Sequence, residues 1–175
     1  MRTAPGVSFI GSIRNTKFMA DSDVHESTRQ ACRYYQHITT NCKATRDLLA
    51  AQGLCPREQI RVIYNGLELP PEDRVSQPRE NRQNPPRKVI FPHRFITQKN
   101  PLGFANACRR VADRIPEAAF LFAGWGDLME ATRQRCQELG IADKCTFLGG
   151  IAPAAIPYED ADLMVSFSDY EGFSN

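Results

Sequence analysis

With 175 residues and 42% apolar side chains, the chain can bury a sizeable core as one domain or parts of two, which excludes disorder as the starting reading. Its 22 basic and 20 acidic residues leave a net charge of +2 spread along the whole length, which excludes a nucleic-acid stripe or a polybasic membrane patch. No apolar run approaches a transmembrane segment and the N-terminus lacks the plan of a signal peptide, so a cytoplasmic protein is expected.

The six cysteines, at 32, 42, 55, 108, 136 and 145, form no C-x-x-C and have no histidine placed to complete a zinc site. Reduced, buried thiols are expected rather than a disulfide framework.

From Val7 to about Gln36 the sequence is polar and mixed and reads as a loop followed by a helix. "HITT" is a short strand candidate, and Asn41 is placed to cap a helix "CKATRDLLAAQ", whose Ala44, Leu48 and Ala51 recur at helical spacing before Gly53 stops it. Ile60 to Tyr64 has strand character, and Asn65-Gly66 is a turn signal that alone suggests a hairpin.

Residues 70–87, "PPEDRVSQPRENRQNPPR", hold five prolines and almost no large apolar side chains, and read as a linker. Beyond it the pattern is regular. Strand "KVIF", a helix over 101–115, strand "AFLFA", a helix over 128–139, strand "CTFL", a short helical piece around 154–161 and strand "LMVSF" alternate as β-α-β-α-β-α-β.

In the first of these helices Asn100 is the expected N-cap and Pro101 the first helical residue, with Leu102, Ala105, Cys108, Val111, Ala112 and Ile115 as the apolar stripe. In the second, Asp127 and Glu130 have capping-box spacing, and Leu128, Ala131, Arg135 and Leu139 share a face beside Cys136. Helices alternating with apolar strands predict an α/β fold with a doubly wound parallel sheet.

In such a sheet the ligand lies outside the carboxyl ends of the strands, where the strand-to-helix loops and the helix N-termini favour anions. The loop after "KVIF" carries Arg94 and Lys99, the next carries Gly124-Trp-Gly126, the next Gly149-Gly150, and the last "SDYEGFSN". Each element also has an ordinary reading. Loop cations and the acids Asp169 and Glu171 are usually solvated, His93 at a strand end is usually structural, Gly126 can serve turn geometry, and Asp162 is placed to bond local backbone. Gly124-x-Gly126 lacks the third glycine of a dinucleotide fingerprint, where Met129 stands, and the ribose-binding acid is missing, which disfavours a nicotinamide enzyme. Asp169 with Glu171 is the only carboxylate pair that tempts a glycoside-hydrolase reading, and neighbours in one loop do not support it.

"QIRVIYNGLEL", "FPHRFITQKNP", "FLFAGWGDL", "CTFLGG" and "YEDADLMVSFSDYEGFSN", in this order, resemble the family four glycosyltransferases of GT-B fold, in which two Rossmann-like domains face each other across a cleft. The resemblance covers about residues 34–175. It implies that residues 1–69 are the end of the acceptor-side domain, 70–87 the interdomain linker, and 88–175 a C-terminally truncated donor-side domain, the whole being a fragment that is inactive alone. By the same resemblance Arg94 and Lys99 bind the diphosphate of a UDP-sugar or GDP-sugar. Glu171 accepts hydrogen bonds from sugar hydroxyls, Gly172 and Phe173 present backbone N–H groups, and Gly124 and Gly126 let the nucleotide approach closely. No metal and no cofactor are implied. The implied reaction is retaining transfer of a hexose to a saccharide or lipid-linked acceptor, with peripheral membrane association open to the full-length protein. The alternative is a non-catalytic nucleotide-sugar or phosphate-binding module.

Overall fold

The computed structural model describes residues 8–19, 22–66, 87–152 and 155–172. Its contacts divide the chain into two compact units, Met1–Leu69 with Tyr170–Asn175, and Pro70–Asp169. Apart from Arg87, the expected linker lies outside the described residues.

The first unit has a three-stranded parallel sheet in the order β1-β2-β3, formed by Ile10–Ile13, His37–Thr40 and Ile60–Val62. β1 lies where only a loop was expected. Ile-Gly-Ser-Ile carries little strand signal, and its conformation comes from pairing Ile10 opposite His37 and Ile13 opposite Thr40. The Asn65-Gly66 turn makes no hairpin with β3, whose described pairing is parallel to β2.

Helices α1 (Ser22–Tyr34) and α2 (Lys43–Ala51) complete this unit around Cys32, Ile38, Leu49, Leu54, Cys55 and Ile60. The cap of α2 is Cys42 rather than Asn41: the Cys42 Sγ accepts from the Thr45 N–H at 3.3 Å. Asn41 is buried and packs its Oδ1 against Gly172, so its side chain is committed elsewhere.

The second unit has a four-stranded parallel sheet in the order β6-β5-β4-β7, formed by Cys145–Gly149, Ala119–Ala123, Lys88–Phe91 and Leu163–Met164. The chain steps outward from β4 to β6 and then returns to the other side of β4, so the winding reverses between β4 and β7. Asp162 secures that return. Its carboxylate accepts from the Lys88 N–H and its own N–H donates to the Lys88 carbonyl, both at 2.8 Å, so it bonds the adjacent strand rather than local backbone.

Helices α3 (Pro101–Ala112) and α4 (Met129–Glu138) pack on the face that carries Phe91, Phe120 and Phe122. Phe122 stacks on Phe147 at 4.5 Å and Phe91 on Phe104 at 5.0 Å, so a block of aromatic rings forms the core. In α3 the buried stripe is Pro101, Phe104, Ala105, Cys108 and Ala112, which adds Phe104 to the expected positions and leaves Ile115 at the exposed end. In α4 the buried face centres on Thr132 and Cys136 instead of Ala131 and Arg135. Thr132 can be buried because its hydroxyl donates to the Leu128 carbonyl at 2.6 Å, removing the penalty of an unpaired polar group.

Burial raises the Cys32 and Cys108 thiols above their ordinary values and pushes Cys55 up to about 12. These thiols stay protonated and act as small apolar side chains. The short helical piece expected around 154–161 is a 3₁₀ turn over Tyr158–Asp160 among the described residues. An apolar groove of about 710 Å³ runs between α3 and β7, lined by Val89, Phe104, Val111, Leu163 and Val165. Leu163 and Met164 beside it are exposed, so among the described residues this sheet edge carries apolar surface.

Candidate functional site

All four strands of the second unit are parallel, so their following loops leave from one edge. Backbone hydrogen bonds join these loops into one rim. The Phe95 N–H donates to the Trp125 carbonyl at 2.9 Å and the Leu128 N–H to the Phe95 carbonyl at 2.9 Å, tying the β4 loop to the β5 loop. The Gly124 N–H donates to the Gly149 carbonyl at 2.8 Å, tying the β5 loop to the β6 loop. Across the reversal point, the Asp169 N–H donates to the Gln98 carbonyl at 2.9 Å, and the Asn100 Nδ2 donates to the Asp169 carboxylate at 3.2 Å.

Arg94 stands at the middle of this rim. It is exposed, and among the described residues no ion pair or side-chain hydrogen bond engages its guanidinium, unlike Arg46, Arg57, Arg109 and Arg135, which pair with neighbouring carboxylates. Its backbone is nevertheless held firmly: the next residue, Phe95, is wholly buried and packs its ring against Phe91, Phe122 and Phe147. Lys99 is half-buried and ends a 3₁₀ turn that runs directly into α3. Two cations of the β4 loop and the positive end of α3 thus share one edge, an arrangement suited to an anion with more than one charged group.

Asn100 fixes the junction. Its φ of 50° is left-handed, its Oδ1 accepts from the Gly103 N–H at 2.9 Å as the expected N-cap, and its Nδ2 holds Asp169. Asn100→Ala is expected to destabilise the second unit by about 1–2 kcal/mol, and Asn100→Gly by only a few tenths, because glycine tolerates the left-handed backbone. The comparison is made by urea midpoint, and an alanine variant no worse than the glycine one contradicts it.

At Gly124 and Gly126, both with φ of 150°, an added Cβ would meet the His93 carbonyl at 2.1 Å and the Phe95 carbonyl at 2.5 Å. The space beside each of these Cα atoms is taken by the chain's own β4 loop. That packing alone requires glycine. His93, the preceding neighbour of Arg94, is half-buried with its ring edge-on to Phe91 at 5.1 Å, in keeping with a structural role.

The expected capping box of α4 is not formed. Asp127 is exposed, and Leu128 is the cap residue without a side-chain cap; the Met129 N–H goes to the Gly126 carbonyl and the Leu128 N–H to the Phe95 carbonyl. Asp127 is therefore left on the rim.

Glu171 and Gly172 belong to the first unit. The Thr16 hydroxyl donates to the Glu171 carbonyl at 3.2 Å, and a Cβ at Gly172 would come 2.0 Å from the Arg14 carbonyl. Phe173 lies outside the described residues. Asp169, the other acid of the tempting pair, has its carboxylate engaged by Asn100 in the second unit. Sequence reading passed over two residues of this region: Trp125, exposed on the rim, and Phe95, whose burial in a loop only the fold reveals. Among the described residues no cluster of three His, Cys, Asp or Glu side chains could hold a metal, and no helix is long and apolar enough to cross a membrane.

Comparison with known proteins bears on the fold and the family. The Vi polysaccharide biosynthesis protein VipC/TviE of Salmonella typhi is 27% identical over 127 residues, which are 67% of this chain and 22% of that protein. An uncharacterized glycosyltransferase of Methanocaldococcus jannaschii is 26% identical over 157 residues, 84% of this chain and 39% of that protein. The chain thus spans well under half the length of these relatives. Among solved structures, a mutant of TarM from S. aureus in complex with fondaparinux, alpha-GlcNAc-glycerol and UDP superposes with a TM-score of 0.75 at 16% identity, covering 96% of this chain and 34% of that one. That likeness shows the fold expected from the sequence, α/β with Rossmann-like parallel sheets of GT-B type. The family profile described as glycosyl transferases group 1 matches residues 73–174, more than half of the 175 residues, and the chain belongs to that family.

Proposed function

We propose that this chain carries the donor-binding part of a retaining glycosyltransferase that moves a hexose from a UDP-sugar or GDP-sugar to a saccharide or lipid-linked acceptor. The observation that carries the reading is the interlocked rim, which holds an exposed Arg94, engaged by no ion pair among the described residues, on the same loop as Lys99 at the point where the sheet reverses. Membership of the glycosyl transferases group 1 and the UDP of the TarM complex support the choice of a nucleotide-sugar over other anions.

In this reading residues 88–175 form the donor side and residues 1–69 the acceptor side, joined by 70–87. Arg94 and Lys99 hold the diphosphate, the guanidinium through a bidentate fork and the ammonium as a point charge. When the glycosidic bond to the diphosphate breaks, negative charge grows on the leaving oxygen. Two fixed cations then stabilise the transition state more than the bound donor, in the way a divalent metal would, so no metal is required. Glu171 accepts hydrogen bonds from sugar hydroxyls, and Gly172 and Phe173 offer backbone N–H groups to the donor. Gly124 and Gly126 serve the nucleotide through the loop shape they permit. A cytoplasmic location, where nucleotide-sugars are available, belongs to the same proposal.

The test is turnover by the complete gene product that carries this chain. Release of UDP or GDP from a panel of nucleotide-sugars, with and without acceptor saccharides, is expected for at least one donor, with the anomeric configuration kept in the product. Calorimetric binding of the nucleotide without any turnover would replace the enzyme by the non-catalytic binding module. An inverted product would remove the retaining mechanism while leaving the donor site in place.

A further inference from the structure

The residues on either side of Lys99 are held by one partner. The Gln98 carbonyl accepts from the Asp169 N–H at 2.9 Å, and the Asn100 Nδ2 donates to the Asp169 carboxylate at 3.2 Å. Asp169 stands 69 residues beyond Asn100, on the loop that follows β7, and all of these residues belong to the second unit. β7 pairs with β4 over two positions, Leu163 opposite Val89 and Met164 opposite Ile90, and the Val165 N–H adds a bond to the Ile90 carbonyl at 2.9 Å. Asp169 makes the next of the described backbone bonds between the two segments, out at the rim.

An exposed acid in this place calls for a reason, because a carboxylate on a rim that binds an anion repels that anion. Its hydrogen bonds supply one. The Asn100 amide, on a left-handed backbone at φ of 50°, works at both ends: its Oδ1 accepts from the Gly103 N–H at 2.9 Å in the first turn of α3, while its Nδ2 goes to Asp169. A bond to a charged acceptor is stronger than one to a neutral acceptor, which favours a carboxylate over an amide as the partner. Lys99 is thereby enclosed between a backbone bond at Gln98 and a side-chain bond at Asn100. The 3₁₀ turn around it adds the Lys99 N–H to the Ile96 carbonyl and the Asn100 N–H to the Thr97 carbonyl, each at 3.0 Å.

We infer that Asp169 is a positioning residue of the diphosphate site, acting through Gln98 and Asn100 to fix the backbone that carries Lys99; this rests on the diphosphate reading above. A lysine ammonium sits on a flexible stem, so it serves as a fixed cation only as far as its own backbone is held. Removing the carboxylate leaves the backbone bond of Asp169 in place and takes away the bond to Asn100. The loss falls on Lys99 rather than on Arg94, whose place is set by the burial of Phe95.

A double-mutant cycle separates this role from a merely structural one. Binding of inorganic pyrophosphate and of UDP to the whole chain is measured by calorimetry. Asp169→Ala is expected to weaken both ligands by about 5-fold, the worth of one exposed hydrogen bond. In a Lys99→Ala background the same change is expected to cost less than about 2-fold, because the group it places is gone. Asp169→Asn keeps an acceptor oxygen for Asn100 and is expected to restore most of the affinity. Unchanged or tighter binding by Asp169→Ala, equal losses in the two backgrounds, or a loss in Asp169→Asn as large as in Asp169→Ala overturns the positioning role while leaving the diphosphate site standing. Failure of pyrophosphate and UDP alike to bind the wild-type chain overturns the diphosphate reading, and the positioning role with it.

Discussion

Replacing Arg94 with alanine is expected to lower kcat for sugar transfer by the complete gene product by about 10²–10³-fold, the usual cost of removing one preorganised partner of a developing anion. The reason lies in when the charge appears. A nucleotide-sugar already carries a charged diphosphate in the ground state, and cleavage adds negative charge at the leaving oxygen. A cation fixed at that place gains more in the transition state than it gave on binding, so kcat is expected to fall more steeply than KM rises. Arg94→Lys keeps the charge and loses the planar fork, and is expected to fall between wild type and alanine. Lys99→Ala is expected to act in the same direction, and the double variant to fall short of the product of the two single losses, because both cations serve one group. A pure KM effect would make Arg94 a ground-state anchor only, and no effect on either constant would remove it from the site.

Gly124→Ala is expected to destabilise the second unit by about 3 kcal/mol or more. Two penalties coincide at this position. The backbone sits at φ of 150°, where a side chain is strained, and the new Cβ would lie 2.1 Å from the His93 carbonyl, a rigid backbone atom that cannot turn aside. Relief requires the β4 and β5 loops to separate, which displaces Arg94, so UDP affinity is expected to fall along with stability. Gly149→Ala is the control. Its φ of 71° is also left-handed, yet nothing lies within 4 Å of the added Cβ, so only the conformational cost of about 1–2 kcal/mol is expected. Urea or thermal midpoints of the two variants make the comparison, and a Gly124→Ala variant as stable as Gly149→Ala contradicts the account of the rim.

Much of the second unit was legible in the sequence because its signals are local and agree with one another. "AFLFA" is strand β5 residue for residue, and Asn100-Pro101 opens α3 as its capping chemistry predicts. The misreadings concern helix caps and a short strand, where backbone placement decides between neighbouring residues. Asp127 was placed to cap α4, but the helix begins one residue later, at Met129, whose N–H goes to the Gly126 carbonyl. Asn41 was placed to cap α2, but its side chain went to Gly172 and Cys42 took over the cap. β1 was invisible for a similar reason, since Ile-Gly-Ser-Ile has little strand character of its own and owes its conformation to β2.

The candidate site was legible in part. Arg94 and Lys99 stand out by charge and spacing in a loop after an apolar strand, and the parallel sheet then places them at its carboxyl edge. The glycines were seen as glycines, but not that their Cα atoms face the chain's own carbonyls, which depends on contact between residues about 30 apart in sequence.

A crystal structure of this chain with bound UDP tests the donor site most directly. The expected result places the diphosphate oxygens at about 2.8 Å from the Arg94 guanidinium and the Lys99 ammonium, outside the carboxyl ends of β4 and β5. A diphosphate bound elsewhere, out of reach of both Arg94 and Lys99, would contradict the account.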